Sequence, residues 1–441
     1  MLLIFQVKVL FTGLFGARTL LLLAPEMILA LCAVATLVME VVLPRAVNRW
    51  TAHFALISIA LAASSLFLQW LTNSALLPLE GFYGMVRLDG FALLLQAIFL
   101  ITAASTIAIS IRYLDVENEQ RGEFYALVLF ATTAMMLLAC GYDLLVLYIS
   151  LELMAVAFYV LVAFTKRERR ANEAAMKYFL LGAFSSGILL YGLSLIYGAT
   201  GSTDLGQIAE RISATLPAAT AVDQVTTMSP SLLLLGMTAL AAGLFFKIAA
   251  VPFHMWAPDI YEGAPTPVTA FLSTGSKAVS FALFARIFIE AFGGLRSAWV
   301  PLLGAVAAIT ISVSNWAAIT QENSKRLLAY SAIANAGYLL LGLIAGNNYG
   351  YMGFLIYLLV YVLMNIGAFG VIISLRQRSV IGDRVDDFVG LAHKAPSIAF
   401  AMTVFMLSLG GLPATGGFIG KYFFFGGLIQ RGDVEGARWY Y

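Results

Sequence analysis

Six ionisable side chains stand inside or beside long apolar runs of this sequence: Glu152, Lys177, Lys247, His254, Lys277 and Lys421. A charged side chain at mid-bilayer costs roughly 3 kcal/mol on insertion scales. Such residues therefore face a protein interior or a wet cavity and commonly mark an ion or proton path. Burial disfavours the charged form of a lysine, and a nearby carboxylate favours it, so a lysine held between the two can take up and release a proton. Glu152 lies within Leu144–Phe164, about ten residues from either end of that run, beyond the reach of snorkelling. Lys247 precedes Pro252 by five residues. Lys277 comes a few residues into a run that follows Pro265 and Pro267, and Lys421 follows a stretch containing Gly410, Gly411, Pro413, Gly416 and Gly417. A proton path is the expected role of these four; the alternatives are a structural ion pair between helices for Glu152, a fixed helix-end charge for Lys247 and snorkelling from a late-starting span for Lys277.

Two of the six leave both readings open. His254 would share a helical face with Lys247 if the helix continued, and imidazole is a natural proton shuttle. A hydrogen-bonded structural histidine would look the same. Lys177 opens an apolar run, from which it can snorkel to the interface. His53 and His393, near run ends or in loops, are read as carrying no chemistry. The glycines before Lys421 superficially resemble a phosphate loop. They fail that motif, because Thr415 stands where its first glycine belongs and Tyr422 replaces Ser or Thr.

The elements that hold these residues follow from composition. Of 441 residues, 61% are hydrophobic and 11% charged, against roughly a quarter charged in soluble domains. No soluble fold of this length hides so much apolar surface. A hydrocarbon core of about 30 Å needs about 20 apolar residues per helix, and the sequence supplies that length repeatedly. The runs are continuous rather than alternating, which excludes an outer-membrane barrel. About twelve spans are predicted, near 20–43, 52–72, 88–111, 123–140, 142–164, 175–198, 231–250, 267–290, 297–318, 326–345, 351–374 and 397–429. The fold class is an all-α integral membrane bundle. An apolar segment, 1–19, precedes the first span, and a short surface helix is expected around Leu205–Ile212 in the long loop 201–230.

Odd-numbered loops carry most Lys and Arg: Arg45, Arg49, Arg112, Arg121, Lys166, Arg167, Arg169, Arg170, Lys325, Arg326, Arg376, Arg378, Arg384 and Lys394. The loop near Asp259 and Glu262 is the exception. Even loops hold Arg87, Arg211, Arg286 and Arg296. Odd loops are therefore expected on the cytoplasmic side, with the N-terminus on the other. A net charge of +2 offers no support for nucleic acid or acidic partners. Cys32 and Cys140 lie in apolar runs and make neither a disulfide framework nor a metal set. The tryptophans fall mostly near span ends, as interface anchors do.

Two spans carry helix breakers, the seventh at Pro252 and the twelfth at Gly410 to Gly417. Breaks survive in lipid only where protein or a cavity satisfies the freed backbone. Two of them, five spans apart, point to an internal repeat with a site at each break.

These residues carry a resemblance. The stretch Phe246–Phe271, with Lys247, Pro252, His254, Trp256, Asp259, Tyr261, Glu262, Pro265 and Pro267, is similar to the subunit N family of bacterial NADH:quinone oxidoreductase, respiratory complex I. So are Leu151-Glu152-Leu153, Lys177–Ser186, Lys325–Ser331, and Gly411 to Pro413 with Gly417 to Lys421. The similarity runs from about residue 20 to 430. It implies a fold of about fourteen helices, with helices four to eight and nine to thirteen as inverted repeats and the seventh and twelfth broken. Under it the chain divides into helices one to three (20–122), a first antiporter-like repeat (123–293) and a second repeat (294–441). Glu152, Lys247, Lys277 and Lys421 match the family's proton-relay residues, and Lys177 and His254 match polar residues between them. The resemblance implies no redox cofactor in this chain. FMN, iron–sulfur clusters and quinone would belong to partner subunits of the membrane and peripheral arms, in a bacterial plasma (inner) membrane. The chain ends at Trp439-Tyr440-Tyr441, where a thirteenth span would begin, so the last two family helices are expected to be missing. A cation/proton antiporter subunit of Mrp or hydrogenase type is the alternative, since the same buried charges would serve it. A purely structural arm subunit is a third reading.

Overall fold

The structure, a computed structural model, describes residues 17–42, 49–218, 229–376 and 383–435. Residues 1–16 of the apolar leading segment and the chain end at Trp439–Tyr441 lie outside the described residues. Among those described, eleven helices are long and apolar enough to cross a membrane, from Ala24–Val42 to Asn348–Leu375. They fall in the order predicted and are numbered here as spans one to eleven. The twelfth predicted span is two helices, Pro396–Gly410 and Gly416–Glu435. The sixth span, Arg169–Thr200, starts six residues before the predicted 175. Arg169, Arg170 and Glu173 continue the helix past the apolar run, because leaving lipid does not end a helix that has no breaker.

Capping residues set several ends. Asp89 accepts from Ala92 N at 2.8 Å at the start of the third span, and Asp143 accepts from Leu145 N at 2.8 Å at the start of the fifth. The expected surface helix is present as Leu205–Ala218. A two-stranded antiparallel hairpin, Leu79–Gly81 with Val86–Leu88, was not expected. It pairs Glu80 with Arg87 in the second loop, where neither flanking helix can continue.

The loops sort into two faces by parity. Odd loops meet odd loops: Arg376 pairs with Glu117 at 2.9 Å, Arg326 with Asp259 at 2.8 Å and Glu262 at 3.0 Å, and Arg384 with Glu322 at 3.2 Å. The acidic turn at Asp259 and Glu262, short of cations in sequence, thus takes its cation from the next odd loop. Even loops meet even loops, through the Val86–Gly141 and Asp143–Asp204 bridges and Arg87 stacked 4.7 Å over Tyr142.

The eighth span, Thr266–Ala291, lies at the centre and is buried along its apolar length, while the first, second and ninth spans form the rim. Rim side chains such as Leu31, Leu68, Trp316 and Ile319 are apolar and exposed, as lipid contact requires. Where helices touch most closely, small residues allow it. A Cβ on Gly192 of the sixth span would lie 2.5 Å from Leu240 N, and one on Gly243 would lie 2.7 Å from Leu189 Cβ. This close approach of the sixth span to the seventh, Pro230–Ile248, brings their polar side chains together.

Candidate functional site

The sixth span presents Ser186 between two charged residues from its neighbours. Ser186 Oγ donates to Glu152 Oε1 of the fifth span at 2.5 Å and accepts from Lys247 Nζ of the seventh at 3.1 Å. Lys247 Nζ and Glu152 Oε1 are 3.7 Å apart. Lys247 is buried, whereas the Glu152 side chain is 29% exposed at the flank of the bundle. The result is a continuous donor chain from ammonium to hydroxyl to carboxylate.

Lys247 is placed by the break. The seventh helix ends at Ile248, where Ala249 adopts φ 58° and its N–H returns to Phe245 O and Phe246 O. The chain then turns through Pro252 and re-enters a helix at Trp256–Gly263. Trp256 Nε1 donates to Phe246 O at 2.9 Å, and Val251 N donates to Thr310 Oγ1 at 3.0 Å. Protein groups thereby satisfy backbone that lipid could not. His254 falls in the turn, so the shared helical face that sequence spacing offered does not exist. The histidine is buried, and its Nδ1 has no hydrogen-bond partner among the described residues.

Lys277 begins a helical segment directly after a π-helical stretch, Leu272–Ser276. π-turns of this kind often occur at functional sites. The side chain is buried, and Nζ meets no hydrogen-bond acceptor among the described residues.

Lys421 is held differently. It lies after the twelfth-span break and folds back, so that Nζ donates to Leu409 O at 3.1 Å and Gly410 O at 3.2 Å. It thus caps the carbonyl end of Pro396–Gly410, where the helix dipole favours a cation. It also sits 4.3 Å over the Tyr338 ring. Gly411 makes this possible: its φ is 81°, and a Cβ there would lie 2.8 Å from Lys421 Cδ.

Polar groups that sequence spacing did not single out lie between the eighth span and Lys421. Tyr361 Oη donates to Ser273 O at 2.9 Å, one turn before Lys277. Tyr357 Oη donates to Asn335 Oδ1 at 2.5 Å, and Lys421 Nζ is 5.9 Å from the Tyr357 ring centre. Asn335 and Asn365 in apolar spans were the available signal.

Lys177 is not brought into the buried group. It is 45% exposed and pairs with Glu173 at 3.0 Å and Asp259 at 3.1 Å, and Asp259 in turn takes Arg326. Glu173, Lys177, Asp259 and Glu262 line a small cavity of about 210 Å³ on the odd-loop face. Burial acts to raise the Asp259 carboxyl, but Arg326 and Lys177 prevail and hold it below the usual carboxylate range. Arg286 needs a correction of another kind. Read from sequence as an even-loop cation, it is fully buried, because Asp89 and Glu290 converge on it at 2.7 and 2.6 Å.

Residues 141–436 match the family model described as NADH:quinone oxidoreductase/Mrp antiporter, TM. NADH-quinone oxidoreductase subunit N 2 of Solibacter usitatus is 48% identical over 415 residues, 93% of this chain and 82% of the relative. Among solved structures, a chain of respiratory complex I from Thermus thermophilus superposes with a TM-score of 0.75 at 36% identity, covering 92% of this chain and 83% of that one. A chain of the Mrp complex of Dietzia shares the fold, with a TM-score of 0.79 at 21% identity, covering 94% and 75%. The chain belongs to the NADH-quinone oxidoreductase subunit N family, the proton-translocating, antiporter-like subunits of the complex I membrane arm.

Proposed function

We propose that Glu152, Ser186, Lys247, Lys277 and Lys421 form the proton relay through which this chain serves complex I. The observation that carries the reading is the Lys247–Ser186–Glu152 chain at a helix break, followed in the bundle by Lys277, which has no hydrogen-bond partner among the described residues. A carboxylate 3.7 Å away favours a charged Lys247. When charge rearrangement next to Glu152 separates the pair, Lys247 gives up its proton, which passes through water to Lys277. The Ser273–Tyr361 and Tyr357–Asn335 groups line the next stretch, and Lys421 at the second break is the outlet side. Lys177 and His254 have secondary roles, the first in a surface network and the second lining the break.

In this reading residues 123–293 and 294–441 are inverted repeats, each with one broken helix. The odd-loop face is cytoplasmic, given its Lys and Arg, in a bacterial plasma membrane. NADH oxidation, FMN, iron–sulfur clusters and quinone chemistry belong to the other membrane-arm and peripheral-arm subunits. The test is Lys247→Met in the assembled complex, reconstituted in liposomes. Expected is loss of most NADH-driven proton uptake with NADH oxidation by artificial acceptors retained. Full uptake in an assembled complex would overturn the assignment.

A further inference from the structure

Glu26 lies in the first turn of the first span, far along the chain from the relay, and is 2% exposed. Among the described residues no cation pairs with it. Its Oε1 is 2.5 Å from the Gln96 carboxamide of the third span and 3.8 Å from Cys140 Sγ of the fourth. Its Oε2 has no hydrogen-bond partner, nor does the second Gln96 carboxamide atom, although Gln96 is equally buried. Gln69 Nε2 of the second span donates to Leu21 O and Leu22 O. Asp143 gives the contrast: also buried and without a cation, it has Oδ1 satisfied by Leu145 N and Oδ2 by Thr203 Oγ1.

An ionised carboxylate in such a place would be uncompensated, at a cost of several kcal/mol. A carboxylic acid fits instead. Gln96 Nε2 donates to Glu26 Oε1 and, at 3.4 Å, to Met136 O; a neutral acid keeps this bond through its carbonyl oxygen and carries its hydroxyl at Oε2. The free Oε2 and the free carboxamide atom leave hydrogen-bonding capacity for water.

A polar track leads outward from this pair. Cys140 follows Ala139, whose carbonyl accepts from Arg286 Nη2 at 3.1 Å. Arg286 binds Asp89 and Glu290, and partly exposed Arg87 approaches Glu290 at 3.6 Å on the even-loop face. Arg286 stands on the same interrupted helix as Lys277. A π-helical stretch begins at Arg286, just as one ends at Lys277.

We propose that Glu26, with Gln96, is a second proton-exchanging site of this chain, opening toward the even-loop face through Cys140 and the Arg286 cluster. In each turnover the Glu26 hydroxyl gives its proton to water, leaving a carboxylate that Gln96 Nε2 still binds, and takes one back. The proposal rests on the family's proton-translocating role.

The test is Glu26→Gln in the complete complex, with Glu152→Gln prepared in parallel. Redox-triggered infrared difference spectra of the native complex should contain a carboxylic C=O band that is absent from Glu26→Gln. Protons moved per NADH should fall in that variant, with electron transfer to artificial acceptors unchanged. Glu26→Asp should restore part of the pumping and return the band at a shifted frequency. A native spectrum with no band lost in the variant, together with full pumping, would overturn the proposal. If only Glu152→Gln loses pumping, this site falls and the relay stands. If neither does, the relay falls as well. Should Glu26→Gln fail to assemble, Glu26→Asp decides: an unmoved band makes Glu26 structural.

Discussion

Replacing Glu152 by Gln tests the relay at its first step with little change of shape. The glutamine still accepts from Ser186 Oγ, so the hydrogen bond at 2.5 Å has a successor. What disappears is the attraction between two charges 3.7 Å apart. At an effective dielectric of about 20, that is about 4 kcal/mol. Glu152 is partly exposed at the bundle flank, which lowers the figure to roughly 2–4 kcal/mol. At about 1.4 kcal/mol per factor of ten, the proton-loaded state of Lys247 loses weight by roughly 30- to 700-fold. The assay is quenching of a pH-sensitive dye in liposomes holding the complex, driven by NADH and a quinone analogue. Proton uptake per NADH should fall severalfold, while oxidation by artificial acceptors keeps its rate. Wild-type uptake in an assembled Glu152→Gln complex would refute the reasoning, since the carboxylate that pairs with Lys247 among the described residues would then be dispensable.

Arg286→Met should act on stability. It strips Asp89 and Glu290 of their closest cation, a change worth about 3–5 kcal/mol for a buried pair and less here because Arg87 remains nearby. Thermal unfolding in detergent should fall by several degrees, and an unchanged midpoint would contradict the burial of the cluster. The Asp259 network has a defined acid limit. Because its carboxyl is held below the ordinary range by Arg326 and Lys177 against burial, its contribution is complete above about pH 4 and is lost as pH falls through the lower folded-state value. Lys177→Met should weaken that acid-side dependence without abolishing it, since Arg326 remains on Asp259, at a cost under about 1 kcal/mol for so exposed a pair, and leave pumping near wild type. A pumping defect as large as that of Glu152→Gln would return Lys177 to the relay.

Much of the site was legible because charges inside apolar runs stand out. Glu152, Lys247, Lys277 and Lys421 were visible in this way, and the breaks at Pro252 and Gly410–Gly417 carried their own chemistry. Ser186 drew no separate notice, because serine is unremarkable in a span. Its role arises only where Gly192 and Gly243 let the sixth and seventh spans close up. The Tyr357–Asn335 pair likewise needs two distant helices to meet. The helical face that His254 would share with Lys247 is absent for a local reason, because the periodicity stops at Ile248. Arg286 and Glu26 were misjudged or passed over because both stand near span ends, where sequence expects a charge to reach water. Packing against Asp89 and Glu290 in one case, and Gln96 and Cys140 in the other, buries them instead.

Lys277 offers the most direct test of the relay, because structure assigns it no other role. Its Nζ is buried with no hydrogen-bond partner among the described residues, so Lys277→Met strips none of them of a partner and should preserve assembly. The measurement is NADH-driven proton uptake by liposomes carrying the Lys277→Met complex, scaled to assembled enzyme. The relay predicts an intact complex with most uptake lost. An intact complex with undiminished uptake would contradict it.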